Sequence, residues 1–124
     1  MNPTLFQTTD WNSIPAREYS GETGKAFWRT VEYDNLQMKM VEYSADYRSG
    51  EWLAKGFIIF CMEGELTAEL RDGTVVTLTQ GMTFQIPAHA SIRHAVSEKG
   101  ARLLIIDGDF VKERKQTHFN PWRM

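Results

Sequence analysis

A chain of 124 residues is long enough for one compact core and too short for two ordinary ones, and a hydrophobic content of 42% with 12% aromatics can fill that core. A formal charge of -2 excludes general attraction to nucleic acid or an anionic membrane. No apolar run approaches the roughly 20 residues of a membrane span, and residues 1–11 (MNPTLFQTTDW) lack the basic and apolar regions of a signal peptide, so the expected address is cytoplasmic.

In chain order the punctuation predicts an all-β fold. After a polar lead, 26–33 (AFWRTVEY) and 36–43 (LQMKMVEY) carry the aromatic and β-branched residues of strands. Asp34-Asn35 between them predicts a tight hairpin, because both residues tolerate positive φ. Leu36, Met38 and Met40 alternate with Gln37 and Lys39, the pattern of a half-buried strand with the methionines in the core.

The run 56–62 is apolar at both parities, as in a strand covered on both sides, and Gly64 is expected to break it. Residues 65–70 then alternate up to Asp72-Gly73, a second hairpin whose return strand is 74–78. Gln80-Gly81 turns the chain, 82–86 runs up to Pro87, and 94–96 and 101–107 complete the series. Short strands at this spacing argue for a sandwich or barrel. Cys61, the single cysteine, reads as a small buried hydrophobe.

The ends differ from the middle. Residues 1–25 form an expected N-terminal arm, with Leu5, Phe6, Trp11 and Ile14 apolar enough to pack across a dimer interface. Residues 111–124 form a basic C-terminal tail with Lys112, Arg114, Lys115 and Arg123, and Phe119 and Trp122 as docking anchors. Between them, 26–110 is the expected barrel.

The segments 57–65 (FIIFCMEGE) and 81–89 (GMTFQIPAH) resemble the two signature motifs of the cupin superfamily, with Gly64, Gly81 and Pro87 in register. The resemblance implies a single-domain cupin, a small jelly-roll β-barrel. It also implies a metal site in which alternate residues of a strand, two histidines and a glutamate, meet a third histidine from the second motif. Such ligands suit iron, zinc, nickel or manganese. In this register the glutamate position is Phe57, the histidine positions are Glu51 and Leu53 with the shorter motif spacing or Gly50 and Trp52 with the longer, and the third histidine falls on Ile92. Through WRTVEY, VEYSADY, Trp52, Lys55-Gly56 and FCMEGEL the chain is also similar, over 11–107, to small cupins with an Asp-His-Cys-Trp (DHCW) motif. It departs at Glu51, Leu53 and Phe57, the places of ligands in that subgroup.

These departures predict a small-molecule-binding cupin without the usual metal centre and without a cofactor, working as a homodimer. Its expected ligand-binding interior is Met38, Met40, Phe57, Cys61 and Phe84, with Glu51 and His94 as polar handles. A metal-dependent oxygenase or isomerase, its divalent transition metal held by Glu51, His89 and His94, is the alternative, if a bulge absorbs the two-residue offset from Ile92 to His94. A metal-free isomerase or epimerase is another, with Glu51 orienting His94 as general base and Tyr33, Tyr43 or Tyr47 as its partner. A third is a structural or regulatory dimer with a filled barrel. Arg93 and Lys55 read either as anion-binding groups or as surface cations, and Trp28 and Trp52 as pocket mouth or core.

Overall fold

The computed structural model describes residues 6–49, 56–87 and 92–108, without the side chains of 92–95. It is antiparallel throughout the described residues, with nine strands: β1 (Arg17–Ser20), β2 (Lys25–Tyr33), β3 (Leu36–Tyr43), β4 (Tyr47–Arg48), β5 (Phe57–Leu70), β6 (Val75–Thr79), β7 (Thr83–Ile86), β8 (Ile92–Ser97) and β9 (Ala101–Gly108). They pair in the order β1-β2-β3-β9-β5-β8-β4, with β6 and β7 also on β5. The expected all-β architecture is the observed one. Among the described residues no helix is long and apolar enough to cross a membrane.

The turns form where their chemistry allows. Tyr33 pairs with Leu36, leaving Asp34 and Asn35 as the two-residue loop, and Asp34 takes the positive φ of 58°. In the second hairpin Thr74 donates to the Asp72 carboxylate, with its hydroxyl first and with its N–H at 2.9 Å, and holds the Asp72 carboxyl below the usual carboxylate range. Strand β7 ends immediately before Pro87, as a residue without a backbone N–H requires.

Gly64 does not end its strand. Strand β5 continues through it to Leu70, because a bulge absorbs Met62: Cys61 pairs with Leu103, and Glu63 with Arg102. The extra residue switches the inward parity from Phe57, Ile59 and Cys61 to Leu66 and Ala68, so one strand serves two curled leaves of sheet. Gly64 has φ 78°, and a Cβ there would run into the carbonyl oxygen of Gly100. Only glycine meets both conditions.

The core lies between the leaves. Val41, Phe57, Ile59, Cys61, Leu66, Ala68, Leu78, Ile86, Ala101, Leu103 and Ile105 form one buried cluster. Each fully buried Leu or Ile in it contributes roughly 2 kcal/mol of transfer free energy.

Two local expectations change. Part of segment 1–25 is built into the sheet, since β1 pairs with β2 and the Arg29 guanidinium donates to the Ile14 carbonyl at 3.0 Å. Phe6, by contrast, is fully exposed. Met38 and Met40 do not join the core: Val41, buried opposite Leu103, and Lys39, opposite Ile105, take the inward face of β3. The methionines therefore lie half-buried on the outer face with Leu104 and Ile106. The tail from 111 onward lies outside the described residues.

Candidate functional site

The register gives each row of the larger leaf a composition. One inward row runs Trp28, Val41, Leu103 and Cys61; the next runs Thr30, Lys39, Ile105, Ile59 and Phe84; the third runs Glu32, Gln37 and Asp107. The first is apolar and packed, and polarity rises toward the third.

At the polar end, Lys39 Nζ lies 3.0 Å from Asp107 Oδ2, with only 15% and 8% of the two side chains exposed. The same ammonium sits 5.3 Å from the centre of the Trp28 ring, within cation–π range. Tyr19 packs edge-on against Trp28 with ring centres 5.7 Å apart, while Gln37 Nε2 donates to Glu32 Oε2 at 3.1 Å. Trp28 Nε1 is buried and has no hydrogen-bond partner among the described residues. An unpaired donor removed from water is costly, so buried polar atoms of this kind call for a reason.

Of the residues expected to line a binding interior, Phe57 and Cys61 are in the packed core and Phe84 is half-buried against it. Burial pushes the Cys61 thiol up, as an inert buried thiol requires. Met38 and Met40 stand on the opposite face. Glu51 and His89 lie outside the described residues, as do Trp52, Leu53 and Lys55. Position 94 is placed by backbone register only, across from Glu69, with Ile92 across from Leu70. A register shift between those pairs leaves Arg93 as the additional residue, so a bulge does fall between positions 92 and 94. Position 94 itself continues the unbroken register in which 96 pairs with Thr67 and 95 with Ala68, and so stands opposite Glu69, whereas Leu66 and Ala68 of β5 face the core.

Among the described residues no group of three or more His, Cys, Asp or Glu side chains is arranged to hold a metal ion, and the expected ligands Glu51, His89 and the side chain of His94 lie outside them.

Tyr43 and Tyr47 stack with ring centres 4.2 Å apart. Burial, and then the neighbouring Tyr47, raise the Tyr43 phenol well above its ordinary range, so it stays protonated and is unsuited to act as a base. Outside the interior, a cleft of about 350 Å³ on the smaller leaf is lined by Arg48, Glu65, Thr67, Glu69 and Glu98. It lies on the face of β5 away from the core.

Sequence reasoning missed Lys39 and Asp107 as a pair. Lys39 alternates with methionines and so reads as the solvent side of its strand; no local signal ties it to a carboxylate on β9. The clue available was Trp28 in the strand that precedes it, next to the hairpin that brings the two together.

No protein-family model and no curated protein matches the sequence. Solved structures do. An RmlC-like cupin from Shewanella frigidimarina superposes with a TM-score of 0.70 at 18% identity, covering 90% of this chain and 95% of that one. Ectoine synthase from P. lautus gives 0.69 at 14% identity, covering 83% and 78%. A sugar phosphate isomerase of the cupin superfamily from Silicibacter pomeroyi gives 0.62 at 14%, covering 82% and 75%. At such identities the shared property is architecture, and the activities of these proteins remain theirs. The turns, the two-leaved barrel and these superpositions agree: this chain has the cupin fold.

Proposed function

We propose that the chain is a small-molecule-binding cupin-fold protein that works without the usual metal centre, with its ligand at the Trp28, Lys39 and Asp107 end of the interior. The observation that carries this reading is the buried Lys39–Asp107 pair beside an indole N–H that has no acceptor. A buried ion pair is weak evidence of stability for its own sake, since apolar residues often replace one without loss. An ion pair next to an orphan donor is better explained by something bound there. The cytoplasmic address and the kinship with the DHCW-motif cupins belong to the same proposal.

A thermal-shift screen of small metabolites tests it, comparing wild type with Lys39→Met/Asp107→Leu, which removes the polar site while keeping its volume apolar. Compounds that raise Tm in the wild type and not in the double variant support the reading. Stabilisation of both proteins alike, or by divalent transition metals alone, refutes it.

A second reading, a structural or regulatory dimer with a filled barrel, is favoured by the packing of Phe57, Ile59 and Cys61 where a hollow barrel would hold its ligand. Under that reading no compound in the screen stabilises the wild type. Either reading includes self-association, and the outer face of the larger leaf supports it. Val31, Met38, Ile106 and Ile58 form one outward row, and Met40, Leu104 and Phe60 lie in the next. Beside them Glu42 bridges Arg29 at 3.8 Å and Arg102 at 2.9 Å, and Arg102 reaches Glu63 at 3.7 Å. An apolar patch edged by charges that already neutralise one another asks for a partner of like composition, and a second copy of this chain provides one.

A further inference from the structure

We infer that the Trp28–Lys39–Asp107 site takes a neutral oxygen acceptor, a carbonyl or hydroxyl carried on an apolar body, in preference to an anion; this rests on the binding role proposed for that site. An ammonium has three N–H groups, and among the described residues Lys39 gives a hydrogen bond only to Asp107 Oδ2. Trp28 adds an indole N–H that is buried and unpaired, on a ring whose centre is 5.3 Å from that ammonium. The indole can only donate. What is missing at this place is an acceptor, so a cationic ligand, which brings donors and positive charge, is excluded.

Charge then separates anions from neutral acceptors. Among the described residues the groups on this face balance: Lys39 and Arg17 are the cations, and Asp107 and Glu32 the carboxylates, with Arg17 opposite Trp28 in register and exposed, and Glu32 exposed at the end of its row. Lys39 is already neutralised by a carboxylate in contact. An incoming anion would therefore lose its hydration and meet Asp107 without gaining an unpaired cation. A carbonyl or hydroxyl oxygen satisfies the same donors without that penalty.

The surroundings favour an apolar body behind the oxygen. Ile105 lies opposite Lys39, with Ile59 next in the row and Phe84 beyond it, half-buried. The 15% exposure of the Lys39 side chain shows that this end is not wholly sealed from solvent. Glu32 and Gln37, bonded to each other in the adjacent row, form its polar border.

Two-dimensional 1H–15N spectra of the labelled wild-type protein test the inference through the indole resonance of Trp28, assigned by its loss in Trp28→Phe. Four probes share one apolar body: cyclohexanone, cyclohexanol, cyclohexanecarboxylate and cyclohexylammonium. The two neutral probes are expected to move the Trp28 indole resonance saturably, at least about tenfold more tightly than the carboxylate, and the ammonium is expected not to move it. The shift should vanish in Lys39→Met, whose remaining resonances report whether the fold is intact. Tighter binding of the carboxylate overturns the ligand class while leaving the binding role of the site standing. Equal response to all four overturns the class as well, and no response to any of them removes both.

Discussion

Lys39 and Asp107, 68 residues apart in sequence, meet at 3.0 Å on the inward face of the larger leaf. Strands β3 and β9 bring them there, with Lys39 opposite Ile105 and Asp107 opposite Gln37. Breaking a mostly buried pair leaves an uncompensated charge, whereas removing both members does not. Lys39→Met alone should cost about 3 kcal/mol in urea unfolding, and the Lys39→Met/Asp107→Leu double variant should lie within about 1 kcal/mol of wild type. Additive costs would show that the two side chains are not coupled.

Gly64 and Gly81 separate two reasons for a glycine. Both have positive φ, but a Cβ at Gly81 meets nothing within 4 Å, while one at Gly64 strikes the Gly100 carbonyl. Gly81→Ala should cost about 1 kcal/mol, the backbone term alone. Gly64→Ala should cost at least about 2 kcal/mol, because the strand crossing must also move. Denaturant midpoints check the order; equal costs would contradict the close approach.

Apart from the break expected at Gly64, the expectations that rested on local backbone chemistry carried over into the structure, and the one that rested on which face of β3 is inside did not. Asp34-Asn35, Asp72-Gly73 and Pro87 act where they stand, because a turn depends on the residues within it. Alternation in β3 correctly separates Met38 and Met40 from Lys39, but it does not say which set faces the core when the outer face is apolar too. That choice is made by Asp107 and Trp28, which lie on other strands. Strand β1 (REYS), exposed at every position, has no apolar signal to read. The continuity of β5 through Gly64 depends on the bulge at Met62, which is visible only in the pairing with β9. For the site, the apolar run of β5 shows that Phe57 and Cys61 belong to the packed core, whereas nothing local to Lys39 or Asp107 shows that they pair.

Alkaline pH should expose the burial of Tyr43. Its phenol is raised in the folded state by desolvation and by Tyr47, so above the unfolded value of roughly 10 the unfolded chain releases a proton that the folded one retains. Stability is therefore full below that pH and falls as pH rises through it. Tyr43→Phe keeps the ring stacked on Tyr47 and should flatten the decline in Tm between pH 9 and 11. A decline of unchanged steepness would assign the effect to other groups.

Self-association through the outer face predicts a dimer by light scattering coupled to size-exclusion chromatography. Phe60, 37% exposed in the single chain, stands in the outward row with Leu104 and Met40. Phe60→Glu would bury a charge at such an interface and should shift the protein to monomer with its circular dichroism unchanged. A dimer that persists in this variant would place the interface elsewhere.

The central claim is that the interior is served by Trp28, Lys39 and Asp107, with an organic ligand in place of a metal. Native mass spectrometry of protein purified without chelators tests it in one spectrum. The account predicts a dissociable organic adduct on the wild-type chain that is absent from Lys39→Met/Asp107→Leu, and no stoichiometric transition metal on either. One transition-metal ion per chain with no organic adduct would contradict it.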